Sequence, residues 1–403
     1  MAVSAFFPEK WANVAQELHK PMAIYRQLAN FRAESEMKNG DVFHRVIPGD
    51  SYIQPITRGT DLDTQATDGT DQTMTIDKQR GFLVQVDDFD EVQSSVPLMA
   101  EYLKNSMRNL TNSIDSEFLS EVLNATSSLD AGDFGGTSGK PATLSGSNVF
   151  DAFAKAKQKL SEQNIDHRDL YGVIDPATAF IIESQLGARE TGMGDTVTRN
   201  GYDGNMLRFG ALDLYVTNNY TRSLQLNLAT NPTNGDTVVF TVGGVAVTFT
   251  FVSVIGSTAG NVLIGASADA TRVNLETLIN APQTTTANGV AFTGSTLRLL
   301  QTACSATDNA SGNYLTFYAK GKTLAGSETL TDATDGFDAT EASRYLMIGQ
   351  KGAVDMVLQS APRFTKREEP RRETINLLGS SLWGQKTYTD GAQKLVNLRV
   401  LQS

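Results

Sequence analysis

The chain has 403 residues, with 34 Lys+Arg against 45 Asp+Glu and a formal net charge of -11. That length suits two or three domains with ample core, which excludes a small disulfide-stapled scaffold, and the charge has the wrong sign for a protein whose main work is neutralising phosphates. One cysteine, Cys304, has no partner for an internal disulfide, and His19, His44 and His167 leave few nitrogens for a metal site or a catalytic triad. The stretch Met1 to Pro8 lacks the basic region and apolar run of a signal peptide and reads as a cytosolic start. The longest apolar stretch, Val245 to Ile255, falls short of the ~20 residues of a membrane span and is broken by Thr248, Thr250 and Ser253, so it reads as a strand.

In chain order, Trp11, Val14, Ala15 and Leu18 have helical spacing, Pro21 interrupts, and Ile24, Leu28 and Phe31 form a second apolar set. Two short helices around the proline are predicted. Lys38-Asn39-Gly40-Asp41 is a turn signal, and Val42, His44 and Val46 alternate as in a strand. Residues 48–72 are poor in apolar side chains and carry Gly49, Gly59 and Gly69 with Asp61, Asp63, Asp68 and Asp71. A loop of that length is usually functional or stabilised by a partner. Strand patterns resume at Thr73 to Asp77 and Phe82 to Val86 and lead into the acidic turn Asp87, Asp88, Asp90, Glu91.

The strongest element follows. After the N-cap candidate Ser95 and first-turn Pro97, apolar residues fall at Val96, Met99, Leu103, Met107, Leu110, Ile114, Phe118 and Val122. About 28 residues make a helix of roughly 40 Å, a spine with one buried stripe. Beyond the glycine-rich break 131–146, Val149, Phe153, Ala156 and Leu160 mark a second amphipathic helix. Leu170 to Ile174 reads as a buried strand, Asp175-Pro176 opens a helix over 176–186, and a polar loop over 187–210 precedes a strand from Leu212 to Val216.

Residues 221–340 then hold 23 threonines but only five Lys/Arg (Arg222, Arg272, Arg298, Lys320, Lys322), a composition shift that marks a domain inserted into a host. Inside it, Thr237 to Val242, Gly243-Gly244 and Val245 to Phe251 form a β-hairpin with a two-residue loop. A helix over 268–281 and strands near 289–300 and 314–319 complete a small α+β module. The host returns with strand signals at 345–348 and 354–359 and, after a charged stretch, a C-terminal strand from Leu395 to Leu401.

Motifs for chemistry are weak. A phosphate-binding loop fails at Gly139-Lys140 and Gly321-Lys322, because Phe134 and Thr316 stand where the first glycine is required and Pro141 replaces the Ser/Thr at the first. Asp332, Asp335 and Asp338 do not match EF-hand spacing and read as a solvated turn rather than a calcium site. The cluster Asp87, Asp88, Asp90, Glu91 has no His or Cys nearby and reads as negative charge at the start of the spine helix, against the alternative of an acid/base or metal cluster. Arg363, Lys366, Arg367, Arg371 and Arg372 interleave with Glu368, Glu369 and Glu373, which suits protein–protein pairing better than nucleic acid. The long polar loops, the N-terminal helices and the one-stripe spine cannot each bury enough surface within one chain to offset the entropy of ordering. An obligate assembly is expected.

The order of elements resembles the major capsid protein family of tailed bacteriophages, whose fold is also found in encapsulins and the herpesvirus capsid floor. The likeness is carried by Phe7-Pro8-Glu9-Lys10-Trp11, by Thr75-Ile76-Asp77 with Phe82 and the run Val86 to Gln93, and by Ala353 to Gln359 with Leu382-Trp383-Gly384. It implies an α+β fold with an N-terminal arm (1–40), an extended E-loop hairpin (41–81), and a peripheral domain (82–146) carrying the spine helix at 94–124. An axial domain with returning peripheral strands (147–222 and 345–403) is interrupted by a β-rich α+β insertion domain (223–344). The insertion's Gly235 to Phe240, Gly243-Gly244-Val245 and Asn261 to Ala268 resemble a small module of phage structural proteins.

The family resemblance implies a non-enzymatic subunit without cofactors or metal. It would self-assemble as hexamers and pentamers of an icosahedral shell around double-stranded DNA, in the virion, after assembly in the host cytoplasm. Its partners would be copies of itself, a portal protein, and packaged DNA by weak non-specific contact, with a separate scaffolding protein and a decoration protein as further candidates and no membrane. An acidic lining suits DNA that must slide. Subunit interfaces are expected at Arg58, Asp61, Asp63, Asp68, Asp71 and Lys78 of the E-loop and at Arg363, Lys366, Arg367, Arg371 and Arg372, because the resemblance puts this basic segment close to subunit boundaries and the E-loop tip is acidic. Some relatives crosslink through a Lys–Asn isopeptide bond, for which Lys78 is the one E-loop lysine. An encapsulin-like compartment shell and a threonine-rich surface or adhesion module are the alternatives.

Overall fold

The computed structural model describes residues 23–37, 39–59, 61, 63–65, 68–87, 98–187, 206–209, 212–332, 334–368 and 374–402. The first N-terminal helix, the turn from Asp88 to Glu91, Ser95 and Pro97, the stretch 188–205, and Arg371 and Arg372 lie outside the described residues. The chain forms two compact units. Of the described residues, one gathers those within 29–110 and 354–388; the other gathers 23–28 and those within 111–353 and 389–402.

In the first unit β1 (Val42–Ile47) and β2 (Thr70–Thr75) form an antiparallel hairpin in register from Val42↔Thr75 to Ile47↔Thr70. The face turned inward is the opposite of the one expected. Phe43, Arg45 and Ile47 are the more buried set and Val46 is 65% exposed, because Phe43 joins a cluster of Met37, Met74, Ile76, Val357 and Tyr388. Beside it lies a three-stranded antiparallel sheet in the order β16 (Asp355–Glu368), β17 (Thr374–Lys386), β3 (Lys78–Asp87). The central strand β17 has no counterpart in the sequence reading. Its Gly379 looks like a turn residue, yet it lies flat beneath the Phe82 ring, where an added Cβ would come within 2.1 Å.

The second unit contains a nine-stranded sheet running β12 (Cys304–Asn309), β13 (Tyr314–Lys320), β8 (Thr221–Asn227), β15 (Gly336–Gln350), β5 (Leu170–Ile174), β7 (Leu212–Val216), β6 (Met206–Phe209). β18 (Leu395–Leu401) also pairs with β15 and with the short β4 (Ser127–Leu129). The long β15 spans two neighbourhoods: Gly336 to Tyr345 pair with β8, and Met347 to Gln350 pair with β5. Strand β6 occupies positions expected to be loop, because its backbone completes the edge beside β7. Two helices, α1 (Val149–Glu162) and α2 (Pro176–Gly187), cover one part of this sheet, where Phe153, Ile174, Leu214 and Leu398 form a core.

A second core lies wholly between residues 224 and 342. It is built by β8, β13, a four-stranded sheet β11 (Asn261–Leu263), β10 (Val245–Val252), β9 (Thr237–Val242), β14 (Leu324–Glu328), and helices α3 (Ala268–Asn280) and α4 (Gly294–Ala303). The β9–β10 turn has Gly243 at φ 58° and Gly244 at φ 83°, the backbone a two-residue primed turn requires. Phe240 stacks on Phe317 with ring centroids 4.0 Å apart, and Phe337 meets Phe240 edge-on at 5.2 Å. Helix α4 replaces the strand expected near 289–300, since Leu300 and Ala303, three positions apart, are the residues that turn into the core.

The spine helix runs Leu98–Ser120 and continues as a short 3-10 turn, Glu121–Asn124. A single stripe describes only its first half. From Ile114 to Leu119 every side chain is buried, including Asp115, Ser116 and Glu117, because the polar ones find partners: Lys320 Nζ lies 2.8 Å from Glu117 Oε2.

Candidate assembly surfaces

The hairpin ladder of β1 and β2 stops at Ile47↔Thr70, and the loop beyond it is held by amide side chains. Gln65 Oε1 accepts from the Tyr52 N–H at 2.9 Å while its Nε2 donates to Tyr52 O at 2.6 Å. Gln54 does the same with Asp63, at 3.0 and 2.9 Å. These rungs leave the apolar side chains no core: Ile53 is 98% exposed and Ile56 80%. Burying either would contribute about 1.5–3 kcal/mol. Arg58, Asp61, Asp63 and Asp68 are exposed around them. Asp71 is different from the expectation, since His44, its diagonal neighbour on the paired strand, places Nδ1 2.6 Å from its Oδ2.

The root of the loop is cross-linked by side chains. Arg45 donates to Asp355 Oδ2 at 3.0 Å and lies over the Tyr388 ring, Asn30 donates to the other oxygen of Asp355, and Lys386 Nζ donates to Thr73 O at 2.7 Å. None of Gln54, Gln65, Arg45 or Asp355 was singled out by sequence reasoning, because their partners are remote or backbone.

Arg363, Lys366 and Arg367 are exposed on the edge strand β16, and Lys78 is half-buried opposite Trp383. Thr365, Leu378 and Leu83 are directly opposed across the three strands, so they share a face with Arg363 and Arg367, two positions to either side. Leu83 is 65% exposed and Leu378 36%, which makes that face apolar at its centre and basic at its rim. The aspartates Asp332, Asp335 and Asp338 hold turns: Asp335 accepts from the Ala229 N–H at 2.7 Å and Asp338 from the Thr340 N–H at 2.8 Å.

In the second unit Asp115 anchors the chain at Ile24 and Tyr25. Its Oδ1 accepts from the N–H groups of Ile24 and Tyr25 at 2.8 and 2.9 Å, and its Oδ2 accepts from Asn219 at 2.8 Å. Burial outweighs these hydrogen bonds and pushes the carboxyl up to about 6. A raised native pKa means that the folded chain holds the proton more tightly than the unfolded one, so this group's stabilisation is complete below about 4 and is lost as pH rises through about 6. Asp115→Asn should flatten the pH dependence of thermal unfolding between pH 4 and 6 by roughly 1 kcal/mol per pH unit. Parallel slopes for the two proteins in melts across that range would refute this assignment.

A family model described as phage capsid protein matches residues 69–273, just over half the chain. Among solved structures, one from Mycobacterium phage Che8 has 15% identity and a TM-score of 0.57, covering 98% of each chain. The capsid structure of the cyanophage P-SCSP1u has 12% identity and a TM-score of 0.54, over 100% of this chain and 95% of that one. The mature capsid of bacteriophage PhiM1 has 8% identity and a TM-score of 0.52, over 99% and 93%. At these identities the likeness is one of fold. Comparison with curated proteins gives no match.

Proposed function

The chain belongs to the phage capsid protein family and forms a capsid shell, and we propose that it does so as hexamers and pentamers of an icosahedral lattice around double-stranded DNA. Assembly in the host cytoplasm, a portal protein at one vertex, and a 223–344 insertion domain within the axial domain belong to the same reading. The observation that carries it is the E-loop, cross-linked at its root and apolar at its tip, with Ile53 and Ile56 exposed and no cover for them among the described residues. The face of Leu83 and Leu378 rimmed by Arg363 and Arg367 has the complementary chemistry to a tip of isoleucines rimmed by aspartates. The two are proposed to meet between neighbouring subunits.

Deleting residues 55–64 tests this. The root contacts of Arg45 and Lys386 lie outside the deletion, so the shortened chain should keep its melting temperature within a few degrees and yield no closed shells in negative-stain microscopy. Normal shells from the deletion would overturn the reading.

A further inference from the structure

One cleft of the second unit takes no part in this account. It lies on the face of the large sheet turned away from the phenylalanine core and has a volume of about 450 Å³. The alternation of β8 and β13 creates it: Leu224, Leu226, Leu315 and Phe317 point into the core, and the residues between them line the cleft, with Gln225 opposite Thr316 and Asn227 opposite Tyr314. Tyr318 and Tyr345 add two rings, centroids 6.0 Å apart and tilted by 43°.

The charges at its end cancel. Lys140 pairs with Glu341 and stands 3.8 Å from Asp338, and Arg399 bonds to Glu341 Oε2 at 2.6 Å, to Ser343 Oγ at 2.8 Å and to Gly139 O at 2.6 Å. Two cations against two carboxylates leave no excess charge to hold an anion, and carboxylates already paired with cations are poor metal ligands. An apolar ligand is excluded too, because amides, hydroxyls and ion pairs make up nearly all of the lining. What remains is a neutral molecule rich in hydroxyl groups, able to exchange donors and acceptors with Gln225, Asn227 and Thr316.

We propose that this cleft binds a neutral saccharide, as a site independent of shell formation. The test uses assembled shells of the full chain in saturation-transfer NMR with maltotriose, mannotriose and N,N′,N″-triacetylchitotriose, with a sulfated trisaccharide as the charged control. At least one neutral probe should show transfer, the sulfated one none, and Gln225→Ala should weaken the binding at least tenfold in shells of unchanged appearance. Should Tyr318→Ala disturb the sheet, Gln225→Ala and Asn227→Ala still decide, because both side chains point away from the core. Absence of transfer from all three neutral probes, preference for the sulfated probe, or binding indifferent to Gln225→Ala would each overturn the proposal. Failure of the shells to form would instead count against the assembly reading.

Discussion

Replacing Arg272 by alanine should cost the protein about 3–5 kcal/mol, the loss expected when one partner of a buried ion pair is removed and the other is left uncompensated. The guanidinium is fully buried, with Nε 2.7 Å from Asp308 Oδ1 and its other nitrogens on Asp269 and on the Leu228 carbonyl. One side chain thus ties α3 to β12 and to the end of β8. Lysine should rescue little, since a single ammonium cannot reach three acceptors in the plane of a guanidinium. Arg272→Met with Asp308→Leu should recover much of the loss, because it removes both charges from the interior. In calorimetry the alanine variant should unfold its 224–342 core by ten degrees or more below the parent. A shift under two degrees would mean that the network contributes nothing net.

The spine helix, the Gly243-Gly244 hairpin and the strand Leu170–Ile174 were legible because each carries its signal locally: a sustained helical period, a turn needing positive φ, and a short apolar run between polar breaks. β17 was not. Its sequence Thr374–Lys386 is punctuated by Gly379 and Gly384, and both glycines serve close approach rather than turning: an added Cβ would meet Phe82 at the first and the Thr75 carbonyl at 2.6 Å at the second. Edge strands β12 and β14 were missed for a related reason, since Thr307, Ser327 and Glu328 face outward and Asp308 is a charge turned in to meet Arg272, all of which dilute the pattern. The assembly surfaces were half legible. Charge could be counted in the E-loop and at Arg363, but Leu83 beside Leu378 is a register fact, created only when β3 and β17 pair.

The same register sets how the neighbours should recognise one another. Arg363 and Arg367 flank the Leu83–Leu378 centre, and Asp61, Asp63 and Asp68 are exposed on the same loop as Ile53 and Ile56. An exposed ion pair is worth only about 0–1 kcal/mol, and the proposed apolar contact between tip and face would supply more. Charge therefore acts mainly on choice: an acidic tip brought to an acidic face is repelled during encounter, and every subunit repeats the penalty. Arg363→Glu with Arg367→Glu should leave the melting temperature of the unassembled chain within about two degrees, because both side chains are exposed on an edge strand. Shell yield in sedimentation should fall at least tenfold. Adding Asp61→Lys and Asp63→Lys should restore part of it, and raising salt should narrow the gap between the reversed and parental proteins as screening weakens the repulsion. If the reversed chain melts early, the arginines belong to an intrachain network; if it assembles at parental yield, they are a solvated face, and neither result is compatible with tip-to-face recognition.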